Sequence, residues 1–399
     1  MRDYLGNGKL LSLMLGHLTV DSYAGFIPVL FPLLIEKSHT SLATVGLVSL
    51  AYIGTSALSQ PVFGLIADRY GTRLTGIALG WTALTFSLSG FAPTFAILLL
   101  CVCAAGMGSG AFHPLAALDV RALLHVRRRT SGMSIFVTAG TVGLAVGPLI
   151  GILLLGRFGL RGTGLLVIPG VAAGSYLLWR MRGSSGPAAA IVKLSAATGG
   201  AVPILALVAV IGVMMSRNWT VSVLMAYTPT WYRELGYGPG FYGPLVTTLV
   251  LAGAVGTVGI GAIADRFGRR PLILATLALS IPPILLYTVF PGPWAFGSAI
   301  LIGFLAASTT PLMLLMAQQL MIARIGFASG LVLGLAFIAG AIGIPITGAI
   351  GDAVGLQKAL ITNVILVLAT IAIAWFLPSE RDLGRYSVTS PDSKGAVQV

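Results

Sequence analysis

Long apolar runs, parted by short clusters of charge, glycine and proline, recur from one end of the chain to the other. Twelve can be delimited, approximately Leu10–Leu34, Leu42–Ala67, Leu74–Phe91, Thr94–Ala117, Thr130–Gly156, Gly162–Trp179, Val202–Tyr227, Phe241–Ala264, Leu272–Phe290, Trp294–Met316, Phe327–Ile350 and Leu356–Leu377. Each holds about 20 residues, which at about 1.5 Å per residue carries an α-helix across a hydrocarbon core about 30 Å thick. The pattern predicts an all-α integral membrane protein with twelve transmembrane helices. The first run begins too far in, and is too long and proline-punctuated, for a cleaved signal peptide, so it is expected to be retained.

The polar interruptions repeat too. Gly64–Arg73, GLIADRYGTR, and Gly261–Arg270, GAIADRFGRR, agree at seven of ten positions and lie 197 residues apart. The same offset relates Pro32 to Pro229 and Pro114 to Pro311, and Ser131-Gly132 recurs one residue out of step at Ser329-Gly330. One long unit has been duplicated. Six spans per copy bring both copies into the membrane from the same side, so two pseudo-symmetric six-helix bundles are expected over residues 1–180 and 201–378. Residues 181–200, MRGSSGPAAAIVKLSAATGG, read as a linker on the cytoplasmic side. The polar tail, 379–399, is expected to be largely disordered.

Composition agrees with a bilayer. Hydrophobic residues make up 56% and charged residues 9%, against about 25% charged in ordinary globular domains. A net charge of +13 would suggest nucleic acid in a soluble protein, but here the cations sort by loop. With a cytoplasmic N-terminus, one side holds eighteen Lys and Arg and the other only Lys37, Arg157, Arg161, Arg233 and Lys358, with Arg217 inside a span. That asymmetry predicts a multi-pass protein of a bacterial-type inner cell membrane with both termini cytoplasmic. The run Arg127–Arg129 then serves topology and anionic lipid, not nucleic acid. Cys101 and Cys103, two apart on an apolar helix, suit neither a disulfide nor a metal pair.

Few ionisable groups lie within the spans, where each costs at least about a few kcal/mol and so faces a cavity or a partner. Asp21 lies near the middle of the first span, with His17 one turn earlier on the same face. The repeat offset maps Asp21 onto Asn218, beside Arg217. Facing each other across the pseudo-two-fold axis, these groups would line a central site. Asp21 and His17 are proton-carrier candidates, histidine because it titrates near neutral pH; the alternative for Asp21 is a structural interhelical hydrogen bond. The planar fork of Arg217 suits a phosphonate, carboxylate or other anionic substrate, or could hold Asp21 ionised, or could form a structural ion pair. His113 is a third proton-coupling candidate, or else a satisfied polar group beside the Pro114 kink. Asn218, Trp219, Tyr23, Tyr227, Gln318 and Gln319 could supply hydrogen bonds and aromatic walls to a substrate. Trp231 and Tyr232, near a span end, read as interfacial anchors.

Gly106, Gly108 and Gly110 lie inside an apolar helix without the strand, loop and lysine of a nucleotide-binding turn. No metal-ligand cluster and no nucleophile–base pair stands out, so no cofactor, no metal and no enzymatic activity are expected. A ridge of small residues, Gly143, Gly147, Pro148 and Gly151, extended upstream by Gly140, suits either close helix packing or gating.

The decapeptides resemble the signature of major facilitator superfamily transporters, G-x-L-A-D-R-x-G-R-R/K, found between their second and third helices. The resemblance implies that Gly64 allows close helix contact, that Asp68 faces the positive end of a helix in the opposite half, and that Arg69 and Arg73 engage acidic groups, with Asp119 the natural partner here. Gly71, Gly261, Asp265, Arg266 and Arg270 complete the two copies. The G-x-x-x-G-P-x-x-G pattern at Gly143–Gly151 is similar to the fifth-helix signature of antiporters. His17-Leu18-Thr19-Val20-Asp21, Phe112-His113-Pro114, Arg324–Gly330 and the stretch from Arg217-Asn218-Trp219 to Pro229 are similar to the fosmidomycin-resistance branch. Membership implies proton-driven efflux of a drug-like or anionic small molecule by alternating access, from a monomer in the lipid bilayer. Where that branch carries Glu after the His-Pro of the fourth span and in the tenth, this chain has Leu115 and Gln319, so proton coupling must use other groups or be absent. The alternatives are uptake of an organic anion or metabolite by symport or uniport and, from another class, a non-transporting membrane sensor.

Overall fold

The structure is a computed structural model that describes residues 7–70, 72–124, 129–182, 203–321 and 325–383. Twelve helical spans appear at the expected places. In the first repeat they are α1 (Gly8–Ser38), α2 (Leu42–Ser49, a π-helical turn at Leu50–Gly54, then Thr55–Tyr70), α3 (Thr75–Leu88), α4 (Phe95–Leu123), α5 (Arg129–Phe158) and α6 (Val167–Arg180). In the second they are α7 (Ile204–Glu234), α8 (Pro239–Phe267), α9 (Arg269–Val289), α10 (Ala295–Ile302, a π-helical turn at Gly303–Ala307, then Thr310–Leu320), α11 (Ile325–Val354) and α12 (Leu356–Ala374). Among the described residues ten continuous stretches are long and apolar enough to cross a membrane. The count is ten because α5 and α6 join through the 3-10 segment Gly159–Leu166 and α3 is only 14 residues long.

The sequence explains where helices start. The Asn7 side chain accepts the amides of Lys9 and Leu10, Ser41 accepts that of Thr44, and Thr94 that of Ile97, satisfying donors that a first helical turn leaves without partners. Most helices overrun the apolar runs that predicted them, because the last turns are built from residues such as Glu36, Lys37, Arg233 and Glu234 that hydropathy counts as loop. Between α8 and α9 the chain reverses at Gly268, whose φ of 81° is a left-handed conformation that glycine adopts without strain.

Two compact units account for the chain: Met1–Ala190 with Met225–Leu251 and Ile344–Leu356, and Ile191–Leu224 with Ala252–Gly343 and Gln357–Val399. The first unit holds the six spans of the first repeat together with one end each of α7, α8 and α11. Its core includes Leu10, Leu13, Val20, Leu79, Phe112, Leu115 and Leu177. The closest helix pair in it is α1 with α5: a Cβ on Gly143 would lie 2.0 Å from the Leu18 carbonyl oxygen, and one on Gly147 would lie 2.4 Å from that of Ser22. The ridge with Pro148 and Gly151 is thus the surface on which α1 lies, as small-residue helix contacts in lipid require.

One expectation is corrected. Trp231 and Tyr232 are not interfacial anchors, being 2% and 0% exposed. Tyr232 stacks on Phe241 with ring centroids 5.3 Å apart, and Trp231 meets Tyr232 edge-on, so the end of α7 is sealed by aromatic contacts. At the start of the tail Ser379 and Asp382 cap each other, and Glu380 accepts from the Arg269 backbone amide and guanidinium. The expected linker from 183 onward and the tail beyond 383 lie outside the described residues.

Candidate functional site

The chemistry of the first unit gathers on α1, α4 and α5. His17 and Asp21, one turn apart on α1, meet with Nε2 3.3 Å from Oδ2. His113, on α4 just before Pro114, brings its own Nε2 to 3.1 Å from the other carboxylate oxygen, Oδ1. His17 is buried, and the Asp21 and His113 side chains are half-buried at 22% and 28% exposure. Gly140 of α5 makes the space, since a Cβ there would sit 2.4 Å from His17 Nε2 and 2.5 Å from Asp21 Oδ2.

The remaining ring nitrogens are also committed. His17 Nδ1 lies 2.8 Å from the Phe136 carbonyl oxygen and His113 Nδ1 2.7 Å from that of Ser109. A carbonyl only accepts, so both Nδ1 atoms are assigned as N–H donors. In a neutral ring, Nε2 would then present a lone pair to a carboxylate oxygen, which also only accepts. Each Nε2 to Asp21 contact is therefore a hydrogen bond only when a proton sits on the imidazole or on the carboxyl group. Both imidazoles are held in orientation from behind by these carbonyls. Phe136 and Phe112 wall His17, with ring centroids 4.2 and 6.2 Å from it.

The three ligand atoms lie within 4.8 Å of one another, close enough for one ion to reach, a meeting that the sequence does not show because 92 residues part Asp21 from His113. Each imidazole is aimed at a different oxygen of the Asp21 carboxylate, at 3.3 and 3.1 Å.

The second unit places Arg217 differently from expectation. It is 6% exposed, with Nε donating to the Ala306 carbonyl (3.0 Å), Nη2 to that of Leu305 and Nη1 to Thr276 Oγ1 (3.4 Å). Leu305 and Ala306 belong to the π-helical turn of α10, where the wider winding interrupts the regular ladder of hydrogen bonds. Beside the guanidinium lies a cavity of about 10 Å³, room for about one water molecule. In this conformation the Arg217 guanidinium is engaged by the π turn. Asn218 donates to the Ala336 carbonyl and lies against Gly340 as Asp21 lies against Gly140. Trp219 packs on Gly343.

Other candidates also move. Tyr23 and Tyr227 are 1% and 0% exposed and give their hydroxyls to backbone carbonyls, of Leu166 and of Leu42 and Ile344. Gln318 is half-buried on α10, and Gln319 accepts from Arg269 Nη1 at 2.8 Å. Leu115 is fully buried in the apolar core. A Cβ on Gly64 would meet nothing within 4 Å. Gly71 lies outside the described residues, as do the side chains of Asp68, Arg69, Gly261 and Asp265. Asp119 accepts from Thr72 Oγ1 and, at 3.1 Å, from Thr75 Oγ1. Arg73 lines a cavity of about 320 Å³ with Arg182. Arg266 lies over the Phe267 ring, and Arg270 donates to the Trp375 carbonyl.

The sequence profile of the Major Facilitator Superfamily matches residues 13–237 and again 205–394. The chain belongs to this superfamily. It is 31% identical to the uncharacterized MFS-type transporter YfnC of Bacillus subtilis (strain 168) over 384 residues, covering 92% of each chain. It is 26% identical to the fosmidomycin resistance protein of Escherichia coli (strain K12), covering 94% of this chain and 93% of the relative. A solved bacterial homologue of the human lysosomal transporter Spinster, in an inward-facing and occupied conformation, superposes with a TM-score of 0.81 at 15% identity, covering 96% of this chain and 97% of that one. The protein is a multi-pass membrane transporter of the twelve-helix, two-bundle type and not an enzyme.

Sequence reasoning missed Thr72 and Thr75 as the partners of Asp119, and it missed Asp352, whose carboxylate reaches the start of α2. Threonines in spans are too common to flag singly. Asp352 carries a spacing signal that a search for whole decapeptides passes over.

Proposed function

We propose that this transporter exports a small drug-like or anionic compound in exchange for protons, by alternating access, with both termini in the cytoplasm. The observation that carries the proposal is the His17, Asp21 and His113 cluster, in which two fixed imidazoles converge on one half-buried carboxylate and can be satisfied only by shared protons. A proton site needs groups that change charge without changing place, and backbone carbonyls hold both rings. The fosmidomycin resistance protein among the relatives and the Gly143–Gly151 pattern support export. The sorting of cations between loops supports the orientation.

The second reading is uncoupled or uptake transport of an organic anion. Leu115, an apolar core residue, and Gln319, held by Arg269, favour it, since neither position can carry a proton.

Proton flux into proteoliposomes, with fosmidomycin and a panel of amphiphilic drugs and organic anions added in turn, separates the two. Substrate-triggered proton movement that Asp21→Asn abolishes, with substrate exchange retained, supports antiport. Substrate movement without protons in the unaltered protein establishes the uncoupled reading.

A further inference from the structure

Pro61, Gly64, Asp68 and Gly71 close α2 with the spacing P-x-x-G-x-x-x-D-x-x-G, and the same spacing closes α11 as Pro345, Gly348, Asp352 and Gly355. The copy at the end of α8 keeps Gly261, Asp265 and Gly268 but has Val258 at the proline position, and α5 has Pro148 and Gly151 but Leu155 at the aspartate position. Only α2 and α11 carry all four residues among these helix ends.

The structure shows what the α11 copy does. Asp352 Oδ1 accepts the Leu42 amide at 2.7 Å and Oδ2 accepts the Ala43 amide at 2.9 Å. Those are first-turn donors of α2, and Ser41 Oγ takes the next one, from Thr44, at 3.1 Å. The positive end of α2 is therefore neutralised by a carboxylate 310 residues away, from the other repeat. The proline and glycine of the spacing make the approach possible. A Cβ on Gly348 would lie 2.6 Å from the Leu42 carbonyl oxygen, and one on Gly46 of α2 would lie 2.9 Å from Pro345 Cα. The Tyr227 hydroxyl, 2.9 Å from the Leu42 oxygen and 2.8 Å from that of Ile344, ties α7 to both helices. Asp352 meets α2 at its beginning and Asp68 lies near its end, about 40 Å away at the α-helical rise.

We infer that Asp352 is a positioning residue of the transport cycle, a latch by which α11 holds the start of α2 and keeps this end of the transporter closed, and whose release is needed for this end to open. The inference rests on the alternating-access reading. Within one repeat a cap of this kind would only stabilise a helix. Between repeats it sets the balance between two conformations, because its hydrogen bonds exist in one of them.

The test uses the full chain in lipid nanodiscs, with Cys101 and Cys103 replaced by serine and spin labels at Ser38 and Val354. Double electron–electron resonance then reports the distance across this end. The unaltered protein should show a short and a long population, and Asp352→Ala should raise the ratio of long to short about tenfold, as loss of a carboxylate from a helix N-terminus allows. Asp352→Asn, which keeps the shape but loses the charge and one acceptor, should fall between. Gel filtration and the thermal unfolding midpoint identify a variant that has failed to fold, and Asp352→Asn then carries the comparison. If both variants fold and leave the ratio unchanged, with unfolding midpoints lowered, Asp352 is a structural cap and the latch is overturned. A single distance in the unaltered protein, at acidic and alkaline pH alike, overturns alternating access itself and the latch with it.

Discussion

Glu36 and Arg233 hold the same position in the two repeats, 197 residues apart, and they form an ion pair with each other at 2.5 Å. Equivalent positions of a two-fold repeat can touch only where the pseudo-symmetry axis passes, so this pair marks the axis at the closing turns of α1 and α7. Duplication of one charged residue would have set like charges against each other here. The sequence carries opposite signs instead.

Reversing either charge alone, Glu36→Arg or Arg233→Glu, should therefore slow transport more than it lowers stability. Both side chains are exposed, at 64% and 38%, and an exposed pair contributes only about 0–1 kcal/mol. The double reversal should restore the rate. Initial rates of substrate uptake for the four combinations form the measurement, and a double variant no better than the singles would show that the pairing does not matter.

Gly140→Ala should separate transport from proton coupling. The added methyl would intrude on both His17 Nε2 and Asp21 Oδ2, at 2.4 and 2.5 Å, and α1 would have to move or the cluster to part. We expect most substrate-driven proton flux to be lost while substrate exchange continues. Full coupling in Gly140→Ala would mean that the three side chains need no fixed geometry.

Arg217 is expected to act on stability first. Arg217→Met leaves the Leu305 and Ala306 carbonyls without their donors in a buried place, a loss of about 1–3 kcal/mol per unsatisfied group. Arg217→Lys, with donors at one point in place of a fork, should recover only part of it. Thermal unfolding in detergent would show midpoints in the order Arg, Lys, Met. A Met variant as stable as the parent would return Arg217 to the role of substrate ligand.

Tyr227→Phe removes a hydroxyl that serves two carbonyls. The expected loss is about 1 kcal/mol, visible as a lower unfolding midpoint. Gly348→Val should be far more damaging, since even its Cβ would lie 2.2 Å from the Tyr227 hydroxyl oxygen.

How much of this was legible beforehand depends on the range of the signal. Hydropathy was enough for twelve spans, because a helix in lipid must satisfy its backbone internally and so declares itself by length alone. The meeting of His17 with Asp21 followed from one helical turn. His113 and Asp21 both entered as candidates, but their pairing across 92 residues did not, because nothing local says which face of α4 meets α1. For Tyr23, Tyr227 and Arg217 the sequence left a substrate role and a structural one open, because a polar residue in a span looks alike whether it serves a ligand or a backbone carbonyl; in this structure the three serve carbonyls. Trp231 and Tyr232 misled because nearness to a span end does not reveal which side of the helix is covered.

The π-helical turn at Gly303–Ala307 stores one residue more than regular winding of α10 would use. Were it to relax to α-helix, everything beyond it would swing by about 100° about the helix axis, the angle of one residue at 3.6 per turn. Gln318 and Gln319 would then exchange the neighbours they now face for others, without the helix bending or leaving its place. Arg217 donates to two carbonyls of that turn, so such a rotation would have to break both of its hydrogen bonds.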